Sequence, residues 1–178
     1  MFRGLPPPEL FAFYRPVPSE FLLLRDFLNN WSPRVETASG LRQAGALPYA
    51  VVEGRLAFLL ITTRRTGRWI FPKGGIEPGT TPWESAAAEA VEEAGVVGEI
   101  DQVAIGSYRA STGGSTATLI DVDLYPLRVT QQLDDWREKG QRLRHWATLD
   151  EAKRLLADRS LARLAEKVEL SRSGPASR

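Results

Sequence analysis

The sequence predicts an α/β (α+β) domain, and three observations carry that prediction. Residues 56–62 (L-A-F-L-L-I-T) form a continuous apolar run, as in a strand buried on both faces. Residues 82–94 read as a short helix with a marked start and stop. Strand-like segments and two further capped helices follow it, so both element types share one core. A chain of 178 residues suits one domain with a sizeable core and a short extension.

Composition narrows the chemistry. Apolar content of 43% and charged content of 25% are ordinary for a globular protein. A net charge of +1 gives no general pull toward a nucleic-acid polymer or a membrane. With no cysteine there are no disulfides, thiolate metal sites or cysteine nucleophiles. A single histidine, His145, rules out a His-rich zinc site and makes a poor basis for a Ser-His-Asp triad. What remains is carboxylates, Lys, Arg and hydroxyls. The N-terminus shows no signal-peptide apolar core and no run long enough to span a bilayer, so a cytoplasmic protein is expected.

Residues 1–41 read as an N-terminal extension, Pro-rich and irregular to residue 17. Within it, 19–30 is an amphipathic helix with Phe21, Leu24, Phe27 and Leu28 on one side. Packing over the domain's edge and a homodimer contact both fit that face. The domain proper spans 42–170. It begins with a strand at 43–52, where Pro48 marks an edge or bulge. Glu53-Gly54 is a hairpin turn into the strand at 56–62. A basic turn follows (Arg64, Arg65, Thr66, Gly67, Arg68), and a short strand at 69–71 delivers Pro72-Lys73-Gly74.

The helix at 82–94 is the centre of the chain. Thr81 caps it, Pro82 suits its first position, and Glu84 closes a T-x-x-E capping box. Gly95 supplies the left-handed stop. Glu89, Glu92 and Glu93 are spaced i, i+3, i+4 and fall on one face at helical pitch. Ala86, Ala87, Ala90, Val91 and Ala94 make the other face, small enough to lie close against a sheet. Between residues 76 and 100 there are six acids and no Lys or Arg. A solvated acidic face is one reading of that imbalance. Like charges crowding without a basic partner favour the other, a metal site. Oxygen ligands imply a hard cation, Mg²⁺ or Mn²⁺, and the glycine loop at Gly74-Gly75 lets backbone carbonyls approach the same ion.

The stretch from Gly74 to Val96 resembles the Nudix box, G-x5-E-x7-R-E-U-x-E-E-x-G-U, with U a bulky aliphatic. It matches at Gly74, Glu89, Glu92, Glu93, Gly95 and Val96. It departs at Thr80 for the first Glu, Ala88 for the Arg and Ala90 for the first U. The resemblance implies that Glu89, Glu92 and Glu93 bind metal, with Gly74 beside them, and that Thr80 and Ala88 occupy orienting positions. It also implies a mixed sheet sandwiched between helices, an α/β/α arrangement, and hydrolysis of phosphoanhydrides. The order of elements fits across residues 42–168.

Beyond the helix, 103–109 and 117–129 read as strands joined by a turn at 111–115. Residues 131–141 form a polar, acidic loop with Asp134, Asp135, Trp136 and Glu138. A strand at 142–147 comes next. Thr148 caps a second helix through a capping box to Glu151, and Asp158 opens a third that runs to about 170. Residues 171–178 read as a disordered tail.

The basic turn is either a solvated surface turn or a source of phosphate ligands. Arg64, Arg65, Arg68 and Lys73 bracket the approach to the helix, and guanidinium groups pair well with phosphate oxygens. The loop is not a Walker A sequence, because no G-K-[S/T] follows it. Either a metal hydroxide serves alone or a general base is needed, with Glu92 or Glu93 on the helix as candidates, and Glu138, which resembles the acidic loop some Nudix enzymes bring over the site, as another. Trp136 and Tyr108 are read as packing residues and His145 as structural. W-I-F-P-K-G-G-I-E-P-G and the W-x-E loop look most like the Nudix branch acting on diphosphoinositol polyphosphates and diadenosine polyphosphates. The expected function is Mg²⁺-dependent hydrolysis of a small phosphorylated substrate of that kind. The alternative is a worn module that binds a nucleotide or partner protein without useful turnover.

Overall fold

A computed structural model describes residues 42–111 and 119–172. The expected helix at 19–30, residues 112–115 of the expected turn at 111–115 and residues 173–178 of the expected tail at 171–178 lie outside the described residues. Eight strands form one sheet: β1 (Arg42–Val52), β2 (Arg55–Thr62), β3 (Trp69–Ile70), β4 (Lys73–Gly75), β5 (Val96–Ile100), β6 (Gly106–Ser111), β7 (Leu119–Gln132) and β8 (Arg144–Thr148). Its main path runs β3-β2-β1-β7-β5, with β4 on β1, β6 on β7 and β8 on β2. β1 and β7 pair in parallel while the other pairs are antiparallel, so the sheet is mixed.

β2 shows how the sequence sets the layers. Its side chains alternate between two cores. Phe58 and Leu60 join Leu161, Leu164 and Val168 on one face. Leu59 and Ile61 join Ala86, Ala90 and Ala94 on the other. The first face is covered by α2 (Leu149–Leu155) and α3 (Arg159–Arg172), the second by α1 (Pro82–Glu89) and the π-helical turn after it (Ala90–Ala94). Helices on both sides of a mixed sheet make the expected sandwich.

Most local readings hold. Glu53 (φ 51°) and Gly54 (φ 75°) are both left-handed, the geometry of a two-residue hairpin turn that matches strand twist. Asp158 Oδ1 accepts the Ser160 N–H at 2.7 Å and so starts α3, which runs two residues past the expected end.

Three readings need correction. Pro48 lies in a central strand, neither edge nor bulge. β4 pairs with β1 only as far as Gly45 and β2 begins at Tyr49, so the missing N–H falls in the gap between two partners. Thr148 makes only half a capping box. Its hydroxyl accepts the Glu151 N–H, but the Glu151 carboxylate turns to His145 Nε2 at 2.9 Å. Val91, expected against the sheet, is 38% exposed. The π turn explains this, because a wider turn carries each residue through a smaller angle.

Candidate active site

The start of α1 is built as its residues dictate. Thr81 Oγ1 accepts the Glu84 N–H, and Glu84 Oε2 accepts the Thr81 N–H at 2.8 Å. Pro82 follows at the first helical position. Thr80 contributes a hydroxyl. It donates to the Glu77 carbonyl at 3.0 Å and shares a hydrogen bond with the buried Ser85 hydroxyl at 2.6 Å. The loop entering the helix is thus tied by two hydroxyls. Ala88 is exposed and brings no charge.

At Ala90 the helix widens. The Gly95 N–H reaches back to Ala90 O as well as Val91 O, and Gly95 adopts φ 62°, the left-handed stop. Glu89 ends the α segment, while Glu92 and Glu93 ride the π turn. Their three carboxylates repel one another but end on different partners.

Glu89 lies over Gly74. A β-carbon on Gly74 would stand 1.7 Å from Glu89 Oε1, so only glycine admits the carboxylate there. Burial, then Glu93, Glu92 and Glu138, push the Glu89 carboxyl up to about 7, against a smaller opposing effect of Lys73. Glu92 is turned outward, where its Oε2 accepts Arg137 Nη1 at 2.6 Å. Glu93 is turned inward and is 7% exposed. Its Oε2 accepts the Lys73 backbone N–H at 3.0 Å, and its Oε1 accepts Arg142 Nη2. Burial raises the Glu93 carboxyl, with the Lys73 N–H and the Arg142 charge pulling the other way.

The loop between β7 and β8 closes over this turn. The Glu138 N–H donates to the Glu92 carbonyl at 3.3 Å. The Glu138 carboxylate, 5% exposed, accepts Arg142 Nε on one oxygen and Arg64 Nη1 on the other, the latter at 2.9 Å. Trp136 packs on Gly95, where a β-carbon would meet its ring at 2.8 Å, and the Arg144 guanidinium lies 4.0 Å over the ring. Arg144 also donates to the Ala94 and Leu133 carbonyls, tying the loop to the end of the turn. Trp136 therefore packs, as expected. Tyr108 is buried in the core facing α3, and its hydroxyl is held well above the usual range by burial. His145 contacts Trp69 and Glu151, a structural place.

Among the predicted phosphate ligands, Arg64 is brought to the site through Glu138, while Arg65 and Arg68 are exposed on the turn. Lys73 sits on β4 with its Nζ donating to Gln43 Oε1 at 2.9 Å. Burial lowers its pKa, against Glu93 and Glu89. Sequence reasoning missed Gln43, Arg137, Arg142 and Arg144. In R-L-R-H-W the arginine at 142 is buried and the leucine at 143 is 68% exposed, the reverse of what hydropathy suggests.

The donor chemistry fits a hard divalent cation. Glu89, Glu92, Glu93 and the Gly74 carbonyl are all oxygen donors, and the space a Gly74 β-carbon would fill lies beside Glu89. The expected single cluster is not preformed. Among the described residues, no three His, Asp or Glu side chains stand grouped as a metal site. Guanidiniums hold two of the three carboxylates instead: Arg137 on Glu92 and Arg142 on Glu93.

Residues 41–168 match the family model of the NUDIX domain. Nudix hydrolase 21, chloroplastic, from Arabidopsis thaliana is 33% identical over 123 residues, covering 67% of this chain and 61% of that protein. Diphosphoinositol polyphosphate phosphohydrolase 3-beta from Bos taurus is 33% identical over 100 residues, covering 55% and 58%. A C. elegans Ap4A hydrolase binary complex has the same fold, with a TM-score of 0.57 at 20% identity, covering 74% of this chain and 96% of that one. The chain spans about six tenths of the length of the curated relatives it matches (61%, 63% and 59%). Among the described residues, no helix is long and apolar enough to cross a membrane.

Proposed function

The chain belongs to the Nudix family, and from that premise we propose that it hydrolyses a phosphoanhydride bond in a small phosphorylated substrate, of the dinucleoside polyphosphate or diphosphoinositol polyphosphate class. The observation that carries this reading is Glu89 over Gly74: a carboxylate in a glycine-shaped space, raised first by burial and then by neighbouring negative charge that a cation would relieve. Mg²⁺ or Mn²⁺, held by Glu89, Glu92, Glu93 and the Gly74 carbonyl, would supply charge neutralisation at the diphosphate and a more acidic bound water.

The chain's own residues do the rest. Glu93 is pinned from two sides, by Lys73 N–H and by Arg142, so its direction is set before substrate arrives. Lys73 places an ammonium beside Glu89 and Glu93, where the phosphate chain would lie. Arg64, Arg65 and Arg68 receive the outer phosphates, and the length of that basic turn suits a highly anionic substrate. Glu92 has more solvent access than Glu93 and can take a proton from water. Glu138 can do so once a phosphate draws Arg64 off its Oε1. The cytoplasm is the setting we propose.

A second reading, ligand binding without turnover, draws on Ala88 and Thr80. Both readings meet one test: a screen of dinucleoside polyphosphates, nucleoside diphosphates, ADP-sugars and diphosphoinositol polyphosphates with Mg²⁺ and with Mn²⁺. Cleavage of a P–O–P bond, read as paired nucleotide products from a dinucleoside polyphosphate or as phosphate from a diphosphoinositol polyphosphate, supports the hydrolase. Saturable binding with no product from any substrate replaces it with the binding module.

A further inference from the structure

We infer that Arg142 is the positioning residue of this site, fixing Glu93 of the π turn against Glu138 of the covering loop. The kinetic part of this inference rests on the hydrolase reading. The observation is a guanidinium with three donors on three separate elements. Nη2 donates to Glu93 Oε1 on the π turn, Nε to Glu138 Oε2 on the loop, and Nη1 to the Thr62 carbonyl at the end of β2, at 2.9 Å. The side chain is only 6% exposed, so it acts through these carboxylates from behind them.

The physical case is one of charge and shape. Glu93 and Glu138 are two buried carboxylates of the same sign, and one cation between them relieves both. A guanidinium is a rigid planar fork, so three filled donors set direction as well as charge. Lysine keeps the charge and loses the fork. Other attachments, among them Arg137 to Glu92, Arg144 to the Ala94 carbonyl, Arg64 to Glu138 and the Glu138 N–H to the Glu92 carbonyl, fix where the loop lies, and of these arginines Arg142 is the one that joins two carboxylates. Position 88, where the Nudix pattern places an arginine, is an exposed alanine here. Arg142 supplies, from some fifty residues further along the chain, the guanidinium that the turn lacks locally.

Arg142→Lys in the full chain tests this. We expect kcat to fall about tenfold or more while KM stays within about threefold, since an interaction made for the reaction step leaves ground-state binding alone. Hydrogen exchange followed by mass spectrometry should rise together in peptides over 89–95 and 133–141. Parent-like kcat, a loss carried by KM, or faster exchange confined to 133–141 would overturn the inference. If Arg142→Lys does not fold, Glu138→Gln takes its place. It leaves Arg142 present but half-anchored, and exchange over 89–95 should still rise. Unchanged exchange there overturns the inference, because a Glu138 acting only as a base would leave the turn tight. If the parent chain hydrolyses nothing, the hydrolase reading fails by itself, and joint loosening of the two segments still decides the role of Arg142.

Discussion

Glu89 occupies the space that a side chain on Gly74 would fill, with its Oε1 1.7 Å from where that β-carbon would be. Glycine is needed here for proximity rather than for an unusual backbone angle. Gly74→Ala meets the tip of a flexible side chain, so the fold should survive with a thermal midpoint within a few degrees of the parent. The displaced carboxylate should lower activity about tenfold or more, by analogy with other ~1 Å misplacements in active sites. Assays of melting and turnover on the same preparation check both halves. A fully active Gly74→Ala would show that Glu89 need not be where it is.

The raised Glu89 carboxyl has a consequence for stability without metal. Its folded pKa of about 7 exceeds the usual 4.5, so the folded state holds this proton more tightly than the unfolded chain does. Stability from this group is therefore complete below about 4.5 and lost as pH rises through about 7. With solvent screening allowed for, the loss should be on the order of 1 kcal/mol. Urea melts in chelator across that window should show it, and Glu89→Gln should flatten the dependence. A parent and variant with parallel pH profiles would remove the charge crowding inferred for this site.

The basic turn makes a separate prediction. Arg64→Ala with Arg65→Ala should raise KM for polyphosphate substrates more than for ADP-ribose, because the outer phosphates lose their guanidinium partners. Each lost charge-assisted contact is worth roughly 1.5–3 kcal/mol, or about ten- to a hundredfold. Arg64→Ala should also free Glu138 Oε1, so a small change in kcat is expected alongside. Equal effects on both substrates would mean that this turn does not count phosphates.

Much of the fold and part of the site are legible in the sequence. Thr81, Pro82, Glu84 and Gly95 announce their roles because caps and stops are local chemistry. The run through β2 announces a strand covered on both sides because burial leaves no polar alternation. The π turn left no mark, since one shifted backbone hydrogen bond needs no particular side chain. On it Glu92 and Glu93 turn to different partners, Arg137 outside and the Lys73 N–H with Arg142 inside, while Glu89 lies over Gly74. β4 was missed because three residues, two of them glycine, carry no apolar pattern, and β5 (V-V-G-E-I) because a five-residue run broken by Gly98 and Glu99 is too short to show one. Arg142 was hidden for a different reason. A buried arginine becomes visible only when its two carboxylates, 49 residues before it and four before it, are seen beside it.

Hydrolysis at this site depends most on the carboxylates of the π turn, and the most direct measurement is kcat for Glu92→Gln and Glu93→Gln with Mg²⁺ on a polyphosphate substrate. Each should lose roughly a hundredfold or more, the scale expected when metal-assisted stabilisation of several kcal/mol is removed. Turnover within a few fold of the parent in both variants would contradict the assignment of this turn as the catalytic centre.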